Sequence, residues 1–397
     1  MRFLYATWFA YVGAGGPFLP LLYAHWGLGI VQIGAVASVS QVVRIATPPL
    51  WGLVADRIGQ GRRLLIAGPL TMLAVLLALS QVPRLEAADR FVPVLLLVCL
   101  LQVAGTGVTP LTEALALRVA GDDSGRYGRL RVWGSIGFLL AVLGAGRLMD
   151  RHGLDALPMV LALILALLVA GCATMPERVA TSGTRRAPLA ATLLARGPLA
   201  LILSGFLMLA SHGAFYGYFS LYLDGLGYAG STIGALWALG VLAEIVLFLV
   251  QRSLFARFAS ATLLSASIAT ACLRFLLTAA AGIGALAGSP LGLVLLVIAQ
   301  ALHAITFGLH HSASLRLLQR MFAPGQIASA TAIVSATSYG AGGAFGMMVA
   351  GLVWQAQGAA AAFAAAAVFA LAGVAVCETA RRRFWQDAGN RIEEKAA

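Results

Sequence analysis

The chain holds 397 residues, 60% of them hydrophobic and only 11% charged, with a mean hydropathy of +0.90 and a formal net charge of +12. A soluble domain carries about 25% charged residues, so the composition excludes an ordinary soluble protein and describes a polytopic helical membrane protein. The basic excess does not point to nucleic acid, because the basic residues, all Arg but Lys395, lie with the exception of Arg44 and Arg274 in the loops and ends between apolar runs.

About 20 apolar residues cross the hydrocarbon core. On that measure the sequence predicts twelve spans, near 3–23, 31–53, 64–82, 91–114, 130–148, 157–175, 198–223, 231–251, 261–281, 290–313, 327–352 and 358–377. The first run opens like a signal peptide, but it lacks a small-x-small cleavage site and reads as a retained helix. Pro17 and Pro20 in the first span, and Pro48 and Pro49 in the second, are expected to bend or break those helices. The fifth span carries Gly134, Gly137, Gly144 and Gly146, and the eleventh Gly340, Gly342, Gly343 and Gly346. Such small-residue faces let backbones approach closely in lipid, as static packing or as a sliding surface.

The polar stretch 176–197 splits the chain into a bundle over 1–175 and a second over 198–378, with a tail over 379–397. Putting the N-terminus, the even-numbered loops and the tail on one side collects 21 of the 27 basic residues there, against Arg84, Arg90, Arg147 and Arg151 on the other. The positive-inside rule then makes both termini and the linker cytoplasmic. The four cysteines fall singly in separate apolar runs and read as small core residues.

Polar groups inside these runs carry the functional content. A charge at the bilayer centre costs at least about 2.5–3.5 kcal/mol, so such residues are usually kept for a pathway or a proton relay. Glu113, Glu244, Arg274 and His303 are the candidates. Burial raises the pKa of a carboxyl and a neighbouring Arg lowers it, opposed pressures that suit Glu244 to a proton switch. His303 and then His212 follow, since imidazole titrates in the useful range. His310 and His311 lie nearer the cytoplasmic end and are not expected to be central. Arg44 sits about 12 Å along the second span from Gly52 at 1.5 Å per residue, where it either grips a carboxylate bidentately or snorkels to the interface. Phe215, Tyr216, Tyr218, Phe219 and Tyr222 cluster on the seventh span and either face an aromatic cargo or pack the core.

The loop Gly52-Leu-Val-Ala-Asp56-Arg57-Ile-Gly59-Gln-Gly-Arg62-Arg63 resembles the signature loop of the major facilitator superfamily, with Gln60 in place of a basic residue. Pro110-Leu-Thr-Glu113, Tyr127-Gly-Arg129-Leu-Arg131-Val-Trp133-Gly134, Ser211-His212-Gly-Ala-Phe215-Tyr216, Leu236-Trp237-Ala-Leu-Gly240-Val-Leu-Ala-Glu244, Leu273-Arg274-Phe and Ala301-Leu302-His303-Ala304-Ile-Thr306 are similar to the branch that contains lactose permease, nucleoside–proton symporters and phenylpropionate permease. They look most like the last of these. The resemblance implies an all-α fold of twelve transmembrane helices in two pseudo-symmetric six-helix bundles.

It implies Gly52, Asp56, Arg57, Gly59 and Arg62 as a cytoplasmic gating motif. Glu113, Arg131, Arg44, His212, Tyr216 and Trp237 become substrate contacts, and Glu244, Arg274 and His303 the proton-coupling set. Thr306 stands where lactose permease has its proton-carrying Glu, so in this chain the proton must ride elsewhere. The expected partners are a small-molecule substrate, protons and the lipid bilayer, with no nucleic acid, no cofactor and a monomeric state. Proton-coupled uptake of an aryl-propionate-like carboxylate across an inner membrane is the first reading. Sugar or nucleoside symport and proton-driven efflux are the alternatives. No GxxxxGK[ST] loop supports an ATP-driven pump, and no HExxH or GxSxG motif supports an enzyme.

Overall fold

A computed structural model describes residues 1–47, Trp51, Val54, 61–121, 123–175 and 190–385. Gly52, Asp56, Arg57 and Gly59, with Pro48 and Pro49, lie outside the described residues, as do 176–189 of the linker and 386–397 of the tail. The described residues are helical, with turns and no strand. Twelve helical runs follow one another. They are α1 (Arg2–His25), α2 (Ile30–Ala46), α3 (Gly61–Leu79), α4 (Ala87–Ala120), α5 (Ser124–His152), α6 (Leu157–Ala173), α7 (Arg196–Gly225), α8 (Gly230–Arg257), α9 (Ser260–Ala280), α10 (Pro290–Met321), α11 (327–357) and α12 (Ala359–Arg383).

Nine of these runs are long and apolar enough to cross a membrane on composition alone, and α1, α2 and α11 complete the expected twelve. Their outward faces are oily, as a lipid solvent demands: Leu249 is 79% exposed and Met159 75%.

Several helices overrun their apolar windows. The fifth window opens at 130, yet α5 begins at Ser124 with Asp123 as its N-cap, the carboxylate accepting the Arg126 amide at 2.9 Å. Hydropathy marks only the oily centre, and backbone hydrogen bonding continues through the arginine-rich turn beyond it. The expected break in α1 does not occur. The helix runs unbroken from 2 to 25 with Pro17 and Pro20 inside it. Each proline removes one bond from a 24-residue ladder, a loss that membrane helices tolerate when their neighbours hold the backbone.

The chain packs as two compact units, Met1–Thr184 with Tyr218–Ala238, and Arg185–Gly217 with Leu239–Ala397. Close backbone contact builds both. In the first unit Gly137 of α5 lies against the Ala6 carbonyl of α1; in the second, Gly346 of α11 lies against the Ala210 carbonyl of α7. A Cβ at either position would run into backbone, so these glycines are what lets the two helices approach so closely. The first hairpins also close alike. Gly27 after α1 and Gly227 after α7 adopt φ of 85° and 83°. Leu28 donates back to Tyr23 O at 3.0 Å, and Tyr228 to Leu223 O at 3.1 Å. This is a Schellman closure, in which a left-handed residue satisfies the last helical carbonyls and glycine adopts it without strain.

Two stretches depart from α geometry. Residues Ile305–Leu309 in α10 and Ala336–Gly342 in α11 are π-helical. Such widened turns recur at functional sites.

Candidate functional site

Arg274 organises the second unit. It sits mid-way along α9 on the buried stripe that includes Ala271, Phe275 and Thr278, and is 1% exposed. Its guanidinium reaches two neighbouring helices. Nε donates to Ala299 O at 3.0 Å and Nη2 to Gln300 Oε1 at 3.0 Å, both on α10. Nη1 donates to Thr306 Oγ1 and to His212 Nε2 of α7, each at 3.2 Å. The Phe215 ring lies 4.2 Å below the charge and Phe275 at 5.2 Å. These are neutral partners. The cation is held by oriented dipoles and π-faces, without a carboxylate within 4.0 Å among the described residues.

Those bonds settle the His212 tautomer. Its Nδ1 faces the Met208 carbonyl at 2.9 Å, which can only accept, so Nδ1 carries the hydrogen. Nε2 is then the acceptor that Arg274 requires. His212 is 1% exposed and fully engaged in positioning Arg274.

The counter-charge lies next door. Glu244 Oε1 of α8 is 2.8 Å from His303 Nε2 of α10, with side-chain exposures of 17% and 8%. The Glu244 and Arg274 charges act on each other at longer range. His303 Nδ1 is buried without a hydrogen-bond partner, and Gly240 of α8 packs against the ring, where a Cβ would stand 3.2 Å from Cδ2. With Glu244 ionised and His303 neutral the three groups sum to zero charge. One added proton, on Glu244 or His303, leaves a net +1 in a largely buried place. The cluster can therefore store one proton, and doing so changes its charge.

The first unit holds the other expected charges, less closely joined. Arg131 of α5 lays its guanidinium 4.4 Å from the Phe9 ring centre and 5.9 Å from Tyr5, both on α1. Glu113 of α4 is half-buried. Among the described residues the two form no ion pair within 4.0 Å, and both charges act on the Tyr5 hydroxyl. Arg44 is exposed on α2 and donates to Gln41 Oε1 at 3.3 Å. Trp237 donates to Ser220 Oγ at 3.0 Å. Of the five clustered α7 aromatics, Tyr216 is half-exposed, while Phe215, Tyr218, Phe219 and Tyr222 are core. Arg62, expected in the gating motif, donates to Met175 O at 3.5 Å.

Gln300 and Thr306 emerge as Arg274 ligands that the sequence reading did not assign. A Gln in an otherwise apolar run was the available sign. Phe307, stacked on His303 with centroids 5.6 Å apart, and Tyr339, edge-on to Phe307, extend the cluster along α10 and α11. Nothing in their spacing announced this, because both contacts depend on π-helical turns. Among the described residues no group of three or more His, Cys, Asp or Glu could hold a metal ion.

Known proteins resemble the whole chain. It is 27% identical over 363 residues to the probable 3-phenylpropionic acid transporter of Escherichia coli strain K12, covering 89% of this chain and 91% of that protein. It is 30% identical over 360 residues to the maltose permease of Geobacillus stearothermophilus, covering 89% and 87%. The solved nucleoside transporter NupG superposes with a TM-score of 0.80 at 20% identity over 96% of this chain and 98% of that one, a likeness of fold. Residues 1–365 match the family described as MFS_1 like, and the chain belongs to it: a multi-pass membrane transporter of the major facilitator type, not an enzyme.

Proposed function

We propose that this transporter couples the inward movement of a proton to that of a small organic carboxylate of aryl-propionate type, across an inner membrane and with both termini cytoplasmic. The observation that carries the reading is the Glu244–His303 pair at 2.8 Å beside the carboxylate-free Arg274. Glu244 and His303 hold the proton. Arg274 sets its cost through charge, and His212 fixes Arg274. Arg131 and Arg44 meet the anion, Glu113 orients Arg131, and Tyr216 and Trp237 contact the ring. Gly52, Asp56, Arg57, Gly59 and Arg62 serve as the cytoplasmic gate, and the monomer is the working unit. The likeness to a probable 3-phenylpropionic acid transporter supports the cargo class.

A second reading, proton-coupled sugar uptake, rests on the 30% identity to a maltose permease. Proteoliposomes under an inward proton gradient separate the two when offered 3-phenylpropionate, maltose and a nucleoside, with uptake into protein-free vesicles subtracted. Protonophore-sensitive uptake of the acid alone is expected, and uptake of maltose alone moves the cargo to the sugar class. Glu244→Gln is expected to abolish accumulation against a gradient. Undiminished accumulation in that variant would remove Glu244 from the coupling site. Arg131→Ala is expected to weaken half-saturation by the acid at least tenfold.

A further inference from the structure

Beside the π-helical turn 336–342 the second unit contains a cavity of about 40 Å³ lined by His310, His311 and Ser314 of α10 and by Ser335, Ser338 and Tyr339 of α11. Two of its walls are orphaned. His310 Nε2 and Ser338 Oγ are buried without hydrogen-bond partners, and the residues are 5% and 2% exposed. A buried polar atom left unbonded is destabilising, and a native fold that keeps two such atoms around one space needs something there to bond them. A single water needs about 10–15 Å³ of such space and two to four polar partners. The cavity offers room for two or three.

Its Tyr339 wall connects to the charge cluster through Phe307, which is edge-on to Tyr339 at 6.1 Å and stacked on His303 at 5.6 Å. The Tyr339 hydroxyl lies 3.4 Å from His311 Nδ1. We propose that this cavity is filled with ordered water and that, with Tyr339 and His311, it relays protons between the Glu244–His303 pair and the cytoplasmic end of the unit. The relay rests on the coupling role given to Glu244 above. A proton leaving Glu244 passes through water to the Tyr339 oxygen. Tyr339 gives its own proton to His311 Nδ1, and His311 releases the one on Nε2 to cavity water. No charge is left behind on either side chain. The other titratable groups that face this path are His212, Arg274 and His303 on the cluster side and His310 within the cavity. Gly205 of α7 keeps the space open from below, since a Cβ there would meet Ser338 Oγ at 2.5 Å.

The test needs no cargo. In lipid nanodiscs a pH jump is followed by the infrared carboxyl band that Glu244→Gln removes. Tyr339→Phe, which keeps the ring, and His310→Phe, which displaces water, are expected to slow the response of that band at least tenfold while its titration midpoint stays put. An unchanged rate in Tyr339→Phe overturns the relay. A spectrum in which Glu244→Gln removes no band overturns the coupling reading, and the relay with it. Hydroxyl-radical footprinting reads the water independently of folding defects in any variant. His310 of the wild-type protein is expected to be oxidised about as fast as exposed His152, and an unlabelled His310 shows the cavity to be dry and overturns the proposal.

Discussion

Arg274 shows why a residue type, and not merely its charge, is selected at a buried site. Four acceptors on two helices converge on one planar group, and the fork geometry of guanidinium meets them together. An ammonium on a flexible stem cannot span the same set. Arg274→Lys keeps the charge, yet each acceptor left unmet costs about 1–3 kcal/mol, and the stacking on Phe215 is lost as well. The expected result is a melting temperature several degrees lower in thermal unfolding of the purified protein, together with loss of proton-driven uptake. An unchanged melting curve would mean that the network contributes nothing to the fold. The same residue marks the limit of sequence reading. That Arg274, His303 and Glu244 matter is legible, because each sits expensively in an apolar run. That Arg274 takes its bonds from Gln300, Thr306 and His212, while Glu244 takes His303, is not. Those choices depend on rotation about helix axes, and a π-turn changes the phase of every later residue on α10.

At the scale of the element, oily run length and glycine spacing recovered most of the architecture. The twelve windows fall on the twelve helices, and Gly137 and Gly346 lie where backbones touch. The failures have one cause. Hydropathy and proline content report what a segment costs alone, whereas neighbours decide what it does. Hence α1 stays whole through two prolines, and α11 forms although it is not among the most apolar runs. The glycine reading can be tested within a single helix. Gly137→Val puts a branched side chain into the Ala6 carbonyl, and overpacking of this kind costs about 1–3 kcal/mol or more. At Gly144, two turns further along the same α5, a Cβ would meet nothing within 4 Å. Gly144→Ala is therefore expected to leave the melting temperature unchanged or to raise it through helix propensity. Equal destabilisation by both substitutions would mean that the glycines serve backbone flexibility and not close approach.

For the whole molecule the governing asymmetry is electrostatic. The arginines of α8 and α12 crowd one end of each helix, Arg252 and Arg257 on the first and Arg381, Arg382 and Arg383 on the second, the end that the positive-inside rule assigns to the cytoplasm. The distribution is a statement about insertion, made before any packing exists, and for that reason it is readable from the chain alone. On that expected orientation the proposed proton relay empties toward the cytoplasm, since His310, His311 and Arg316 follow one another along α10 toward the same end as Arg257 of α8. Orientation is therefore the first premise to check. Arg84, in the turn Val82–Arg84, and Arg257, at the end of α8, are both exposed and stand on opposite predicted sides. With Cys99, Cys172, Cys272 and Cys377 replaced, a membrane-impermeant maleimide added to intact cells is expected to label Arg84→Cys and to spare Arg257→Cys until the cells are opened. The reverse pattern would invert the molecule, place the His310 cavity on the outer face, and turn the same cluster into a site that loads its proton where the proposed mechanism has it leave.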